Sequence, residues 1–148
     1  MQQSGRLFSG ILVAVQVSTV VIIVLTGPLF AQKSWLFGTE LLSIALGVWS
    51  ILTMRIGNFN ITPDVTSGGK LVVRGPYRLI RHPMYLALLL ATLTLVIDSF
   101  STLRLILWLT LLIGLIVKLS YEERLLVAAW DEYHGYMKKT KRLIPFLF

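Results

Sequence analysis

The sequence predicts an all-α fold: a polytopic integral membrane protein of about four transmembrane helices with a C-terminal amphipathic helix, forming one domain. Three observations lead there. The 148 residues are 55% hydrophobic and 14% charged, with mean hydropathy +0.77, whereas a soluble domain carries about a quarter charged residues. The uncharged runs have the length of membrane spans. The 14 Lys and Arg outnumber 7 Asp and Glu, for a net charge of +7, and that excess is confined to a few segments. Disorder is excluded, and so is an ordinary water-soluble globule, whose surface so few charges could not cover. With no cysteine, a disulfide framework, a thiolate metal site and a cysteine nucleophile are excluded too. His82 and His134 with few carboxylates leave any metal short of ligands.

The first element is a span at 7–30. No charge interrupts residues 7–32, which as a helix would reach about 39 Å against a hydrocarbon core of about 30 Å. The run is long for a cleaved signal peptide and lacks the small-residue cleavage pattern. The second span, 35–54, is interrupted only by Glu40 and ends at Arg55, an interfacial cation. Two further runs, 84–97 and 105–117, fall short of the about 20 residues that a crossing needs. Joined through Asp98 and the Ser-Phe-Ser-Thr that follows it, they read as a hairpin of spans 83–98 and 102–119. That reading requires Arg104 to snorkel outward and the helices to extend into their flanks. Residues 125–130, with Tyr133 and Tyr136, then have the pattern of an amphipathic helix lying on the membrane surface.

Cation placement sets the orientation. Of the 14 Lys and Arg, only Lys33 and Arg104 fall on one side of this topology, where Glu40 and Asp98 offset them. The rest lie near the N-terminus, between the second and third spans, or after the fourth. The positive-inside rule therefore puts both termini and these segments in the cytoplasm. A topology signal accounts for the basic excess, so membrane lipids rather than nucleic acid are the expected partners.

Polar residues collect in two cytoplasmic segments, 58–85 and 118–145, which the hairpin brings together. Within the first, Thr62-Pro63-Asp64 and Ser67-Gly68-Gly69 are turn signals, and 71–77 reads as a short extended piece ended by a turn. The glycosylation triplet at Asn60 has no meaning on a cytoplasmic loop. Pro83 opens the third apolar run, at the position where its missing N–H costs a helix nothing. His82 then stands just outside the helix, and Tyr85 sits about one turn in. Arg78 and Arg81 suit lipid phosphates, and Tyr85 suits an interfacial aromatic belt. Glu122 and Glu123 are harder to place, because carboxylates directly after a span gain nothing from an anionic leaflet. Either they pair with Arg78, Arg81, Arg124 or Lys118, or they bind a cation or an ammonium group.

Gly75-Pro76-Tyr77, then Arg81-His82-Pro83-Met84-Tyr85, an apolar hairpin, Glu122-Glu123, Tyr133, Tyr136 and Arg142-Leu143-Ile144-Pro145 together resemble the isoprenylcysteine carboxyl methyltransferase family. That family is related to the phospholipid N-methyltransferases, and the resemblance extends over 47–145. It implies a small polytopic enzyme dependent on S-adenosylmethionine, with the cofactor at the cytoplasmic end of the hairpin and under the C-terminal segment. Carried over by position, His82 and Tyr85 line the cofactor pocket while Arg81 and Pro83 shape the helix start. Glu122 or Glu123 binds the methionine end, and Arg142 with Pro145 closes the pocket. Arg142 and Glu123 are the implied catalytic residues. Two departures stand out. Ala87 replaces the glycine usual two residues after the motif tyrosine, where the cofactor approaches the helix closely. The spacing from Glu123 to Tyr133 is slightly short, with Trp130-Asp131 where Phe-Gly is common, which leaves the choice between Glu122 and Glu123 open.

The chemistry of these residue types agrees with the resemblance. S-Adenosylmethionine presents an adenine face, an ammonium, a carboxylate and a sulfonium, which call for an aromatic or apolar slot, a Glu, and an Arg or backbone N–H. Methyl transfer is an in-line displacement, so positioning supplies most of the rate. A pocket drier than water favours the union of an anionic acceptor with the sulfonium. An ionised carboxylate or thiolate acceptor needs no base, whereas an amine must lose a proton, which Glu122, Glu123 or His82 could accept. Arg78 and Arg142 could hold an acceptor carboxylate or phosphate. The expected partner is thus a lipophilic or small-molecule methyl acceptor. Two other classes share features with this sequence. An NADPH-dependent sterol-type membrane reductase looks similar around 81–85 and in the tail, although asparagine is expected there in place of Met84. A non-enzymatic lipid-binding family member would explain Ala87 as a mark of lost cofactor binding.

Overall fold

The computed structural model describes residues 2–54 and 71–148, with side chains from Leu7 onward. Arg55, Asn60, the expected turns at 62–64 and 67–69, and with them residues 58–70 of the first cytoplasmic segment, lie outside the described residues. The described helices are α1 (Gln2–Leu25), α2 (Ser34–Met54), α3 (Pro83–Asp98), α4 (Thr102–Ala129) and α5 (Tyr133–Lys139), with a 3-10 turn at Gly75–Arg78. Three stretches are long and apolar enough to cross a membrane: Leu7–Leu25, Ser34–Met54 and Thr102–Ala129. The apolar α3 has 16 residues, about 24 Å of helix. Leu25, Leu42, Leu52 and Ile113 are among many large apolar side chains pointing outward, a surface suited to hydrocarbon rather than water.

Local chemistry sets the ends of the hairpin. Pro83 is the first residue of α3, as its missing donor predicts. Ser101 caps α4, its hydroxyl accepting the Arg104 N–H at 3.2 Å. α3 and α4 occupy the middle of the bundle, with α2 lying along α3, and α1 along α4 with a smaller contact to α3. One core joins Leu89, Leu111, Leu115, Leu119 and Leu143, and a second joins Ile23, Leu95 and Val96. The Trp108 indole N–H donates to the Leu89 carbonyl at 3.0 Å, satisfying the one polar atom that Trp brings into this core. Gly47 of α2 stands opposite Ala87 of α3, where an added Cβ would meet the Ala87 methyl at 3.5 Å.

Several expectations change. α1 ends at Leu25 rather than 30, since Gly27 and Pro28 do not continue a helix. Arg104 does not snorkel. It is 2% exposed, its Nη2 donates to the Leu95 carbonyl at 2.7 Å and its Nη1 to the Thr26 hydroxyl at 3.5 Å. The C-terminal ends of α1 and α3 carry partial negative charge, and the Leu95 carbonyl, which also accepts the Ser99 N–H, has a lone pair left for the guanidinium, so both ends attract it inward. Gly27 makes the room, because any Cβ there would collide with that guanidinium. Glu40 and Asp98 do more than offset cations. Glu40 accepts the Ala31 N–H at 2.9 Å, and Asp98 accepts those of Gln32 and Lys33 at 2.9 and 3.0 Å, so both carboxylates fasten the α1–α2 loop.

At the other end, the single amphipathic helix expected after the last span is instead two pieces. α4 runs without a break to Ala129, and the short α5 follows a turn. Tyr133 and Tyr136 are buried, packed into the protein rather than laid on a membrane. A hydrocarbon core of about 30 Å takes about 20 residues of helix. A crossing that begins at Thr102 would be complete before Glu122, leaving the last two turns of α4 beyond it.

Candidate active site

Two stretches distant in sequence meet over that projecting end. Ile80 and Lys141 form a parallel bridge. The Arg81 N–H donates to the Lys141 carbonyl at 2.8 Å, that of His82 to the Arg142 carbonyl at 3.0 Å, and that of Lys141 to the Leu79 carbonyl at 3.1 Å. The segment 140–143 is thereby strapped to the entry of α3. Proline disfavours helical backbone in the residue before it, and His82, at φ −123° and ψ 58°, presents its N–H to the strap. Upstream, Gly75 at φ +57° turns the chain onto the end of α2, where an added Cβ would lie 2.8 Å from the Thr53 hydroxyl.

Glu123 sits at the junction, with its side chain 5% exposed. Its Oε1 accepts from Arg81 Nε at 2.6 Å and its Oε2 from Arg142 Nε at 3.0 Å. Arg81 Nη1 also donates to the Thr140 carbonyl at 2.6 Å and the Met137 carbonyl at 3.3 Å. One carboxylate therefore ties α4 to both the α3 entry and the strap. Burial alone would raise the pKa of Glu123, but the close approach of His82 and the hydrogen bond and charge of Arg81 outweigh it and hold the group at about 2.

Glu122 is differently placed. Its Oε1 accepts the Tyr85 hydroxyl at 2.5 Å, and its Oε2 lies 3.6 Å from His82 Nδ1. Burial pushes its pKa above the ordinary carboxylate range, opposed by His82, the Tyr85 hydrogen bond and Lys118. The His82 ring bridges the two carboxylates, with Nε2 3.4 Å from Glu123 Oε1, and stacks parallel on Tyr85 at 5.4 Å between centroids. Lys118 Nζ lies 5.3 Å from the Tyr85 ring centroid and donates to Gln16 Oε1 of α1 at 2.9 Å.

Aromatic side chains wall the cluster. The Tyr136 hydroxyl donates to the Tyr77 carbonyl at 2.7 Å, and Tyr133 meets Tyr136 edge to face. Burial raises the phenols of Tyr77, Tyr133 and Tyr136 well above their usual range, so they stay neutral donors at any physiological pH. The Tyr77 hydroxyl is buried with no partner among the described residues.

Arg81, His82, Tyr85, Glu122, Glu123 and Arg142 are thus brought together, with Pro83 buried at the start of the same helix. Ala87 faces α2 at Gly47. Pro145 lies half-buried in the turn beyond the strap, where the Phe148 N–H donates to the Ile144 carbonyl at 3.1 Å. Of the pairings open to the two carboxylates, Glu123 takes Arg81, while Lys118 reaches across to α1. Gln16 and Thr140 escape sequence reasoning as members of this assembly, and Tyr77, though part of the Gly75-Pro76-Tyr77 motif, gains its place beside the cluster only from the fold. For Gln16 a signal existed, since it is an amide inside an otherwise apolar span.

An apolar helix bundle with a buried cluster of charged and aromatic groups at one end defines a membrane protein built around a polar site. A model of the phospholipid methyltransferase family matches residues 34–132, the greater part of the chain, and the chain belongs to that family. It is a family of membrane methyltransferases, which generally use S-adenosylmethionine. The matched part holds α2, α3 and all of α4, whereas α1 and the strap lie outside it. No curated protein matches the chain.

Proposed function

We propose that this chain is an S-adenosylmethionine-dependent methyltransferase of the isoprenylcysteine carboxyl methyltransferase type. It acts on a lipophilic or small-molecule carboxylate, thiol or amine. α3 and its flank complete a fourth span, and both termini and the site face the cytoplasm, as the positive-inside rule requires.

The observation that carries the reading is the unequal commitment of two adjacent carboxylates. Glu123 has a guanidinium on each oxygen. Glu122 meets a phenol and an imidazole, and keeps 17% of its side chain exposed. A cationic ligand therefore finds its partner in Glu122, while Glu123 builds the wall behind it. The donor set fits the cofactor: a carboxylate for the ammonium, Arg142 for a carboxylate of donor or acceptor, and the tyrosine and histidine rings for flat or cationic groups. Arg142 uses Nε on Glu123 and its side chain is 34% exposed, so its Nη groups suit an anion arriving from outside the cluster.

When bound, the cofactor supplies a methyl group made electrophilic by the sulfonium. This chain's residues do the rest. Glu122 orients through its charge, Arg81 and Glu123 hold the strap against the α3 entry, and the buried Tyr133 and Tyr136 keep water from the charged cluster. For an amine acceptor, Glu122 or His82 receives the proton released at the nitrogen.

Calorimetric titration of the purified protein with S-adenosylhomocysteine, and separately with NADPH, tests the assignment. Heat from the first and none from the second is expected. No heat from the first would sink the methyltransferase reading, and heat from NADPH alone would mark the reductase class.

A further inference from the structure

We propose that Lys118, held by Gln16 of α1, is a positioning residue that keeps Tyr85 and Glu122 set to receive a cationic ligand. The inference rests on the methyl-donor reading above, and extends the site to a helix outside the family-matched segment. Lys118 is 2% exposed and lies one helical turn before Glu122, inside the apolar part of α4. An ionisable side chain at that depth is expensive, and such groups face bundle interiors where they serve a site.

Its surroundings say what it serves. The Gln16 amide oxygen fixes Nζ at 2.9 Å, and the ammonium stands 5.3 Å from the centroid of the Tyr85 ring, within the about 6 Å over which a cation interacts with a phenol face. The same phenol donates to Glu122. A cation drawing on that ring makes its hydroxyl a stronger donor. Its charge, four residues from Glu122 on the same helix face, also favours the ionised carboxylate. The other groups around Glu122 are Glu123 on its own helix, His82 and Tyr85 at the α3 entry, Tyr77 in the 3-10 turn and Tyr133 of α5. Of these Glu123 and burial work against ionisation, and His82, Tyr85 and Lys118 work for it. Removing Lys118 leaves burial less opposed, so Glu122 would hold its proton to higher pH and lose its attraction for an ammonium.

The test is labelling of Glu122 by a hydrophobic carbodiimide, which reacts with the protonated acid, followed by mass spectrometry across pH 5 to 9 in lipid nanodiscs. In Lys118→Met the midpoint at which labelling falls off should rise by about one pH unit. Gln16→Leu should shift it in the same direction by less, and Lys118→Arg should leave it in place. A structural role alone would change yield or melting temperature without moving the midpoint. A midpoint unmoved in both Lys118→Met and Gln16→Leu overturns the inference, and if Lys118→Met does not fold, Gln16→Leu decides alone. S-Adenosylhomocysteine added to the wild-type protein should protect Glu122 from the reagent. Shifted midpoints without protection would retain Lys118 as a positioning residue for Glu122 and overturn the methyl-donor reading on which its role rests.

Discussion

Replacing Glu123 with Gln is the perturbation whose size the structure defines best. The substitution keeps the shape and one carbonyl oxygen, but removes the charge that two guanidiniums share at 2.6 and 3.0 Å. The native environment lowers this carboxyl from 4.5 to about 2, and each unit is about 1.4 kcal/mol, so the ionised form contributes about 3 kcal/mol. Breaking a buried ion pair from one side costs about 3–5 kcal/mol, which agrees. For a chain of this length about 1 kcal/mol moves the melting temperature by about 2–4 °C. Glu123→Gln should therefore melt about 6–12 °C lower, followed by the fluorescence of the 4 Trp in detergent or nanodiscs. The pH dependence has a definite sign. The folded pKa is depressed, so the contribution is complete above the ordinary value of 4.5 and is lost as pH falls toward about 2. Wild type and variant should thus differ by a constant amount from pH 5 to 8 and converge only in strong acid. A melting temperature within about 2 °C of wild type at neutral pH would refute the idea that Glu123 joins α4, Arg81 and the strap.

Gly27→Ala should lower stability by about 1–3 kcal/mol, since its methyl would occupy the space of the Arg104 guanidinium. The control substitution Gly38→Ala in α2, with nothing near its Cβ, should be tolerated in the same melting assay. Gly75→Ala forces a side chain into φ +57° against Thr53, costing about 1–2 kcal/mol, and it should disturb the α2 end more than the strap in hydrogen exchange. Because the chain has no cysteine, Ser101→Cys gives a unique thiol in the exposed α3–α4 turn. It should react with a membrane-impermeant maleimide on intact cells, whereas labelling only after permeabilisation would reverse the proposed orientation.

Much of this arrangement is written in local sequence. Uncharged runs define α1 and α2, and Pro83 marks the start of α3 at the residue. Glu122 and Glu123 stand out because carboxylates after a span need a reason, and both have one. What local pattern misses is tertiary. Arg104 looks like a snorkelling cation until the C-termini of α1 and α3 are seen to converge on it with Gly27 making space. Tyr133 and Tyr136 sit at helical spacing that fits a membrane surface equally well, and only the fold of the strap reveals that they point inward. Ala87 replaces a glycine that the family resemblance assigns to cofactor approach, yet its methyl packs against Gly47 of α2. The division of labour between the two adjacent carboxylates depends on partners 19 to 42 residues away, which no window along the chain contains.

The central claim, that Glu122 receives the cationic end of the methyl donor, is tested most directly by equilibrium binding of labelled S-adenosylmethionine to wild type and Glu122→Gln in nanodiscs. Loss of a charge-assisted hydrogen bond worth about 1.5–3 kcal/mol should weaken binding by about 10- to 150-fold, at an unchanged melting temperature. Affinity in Glu122→Gln within about twofold of wild type, less than about 0.5 kcal/mol, would contradict it.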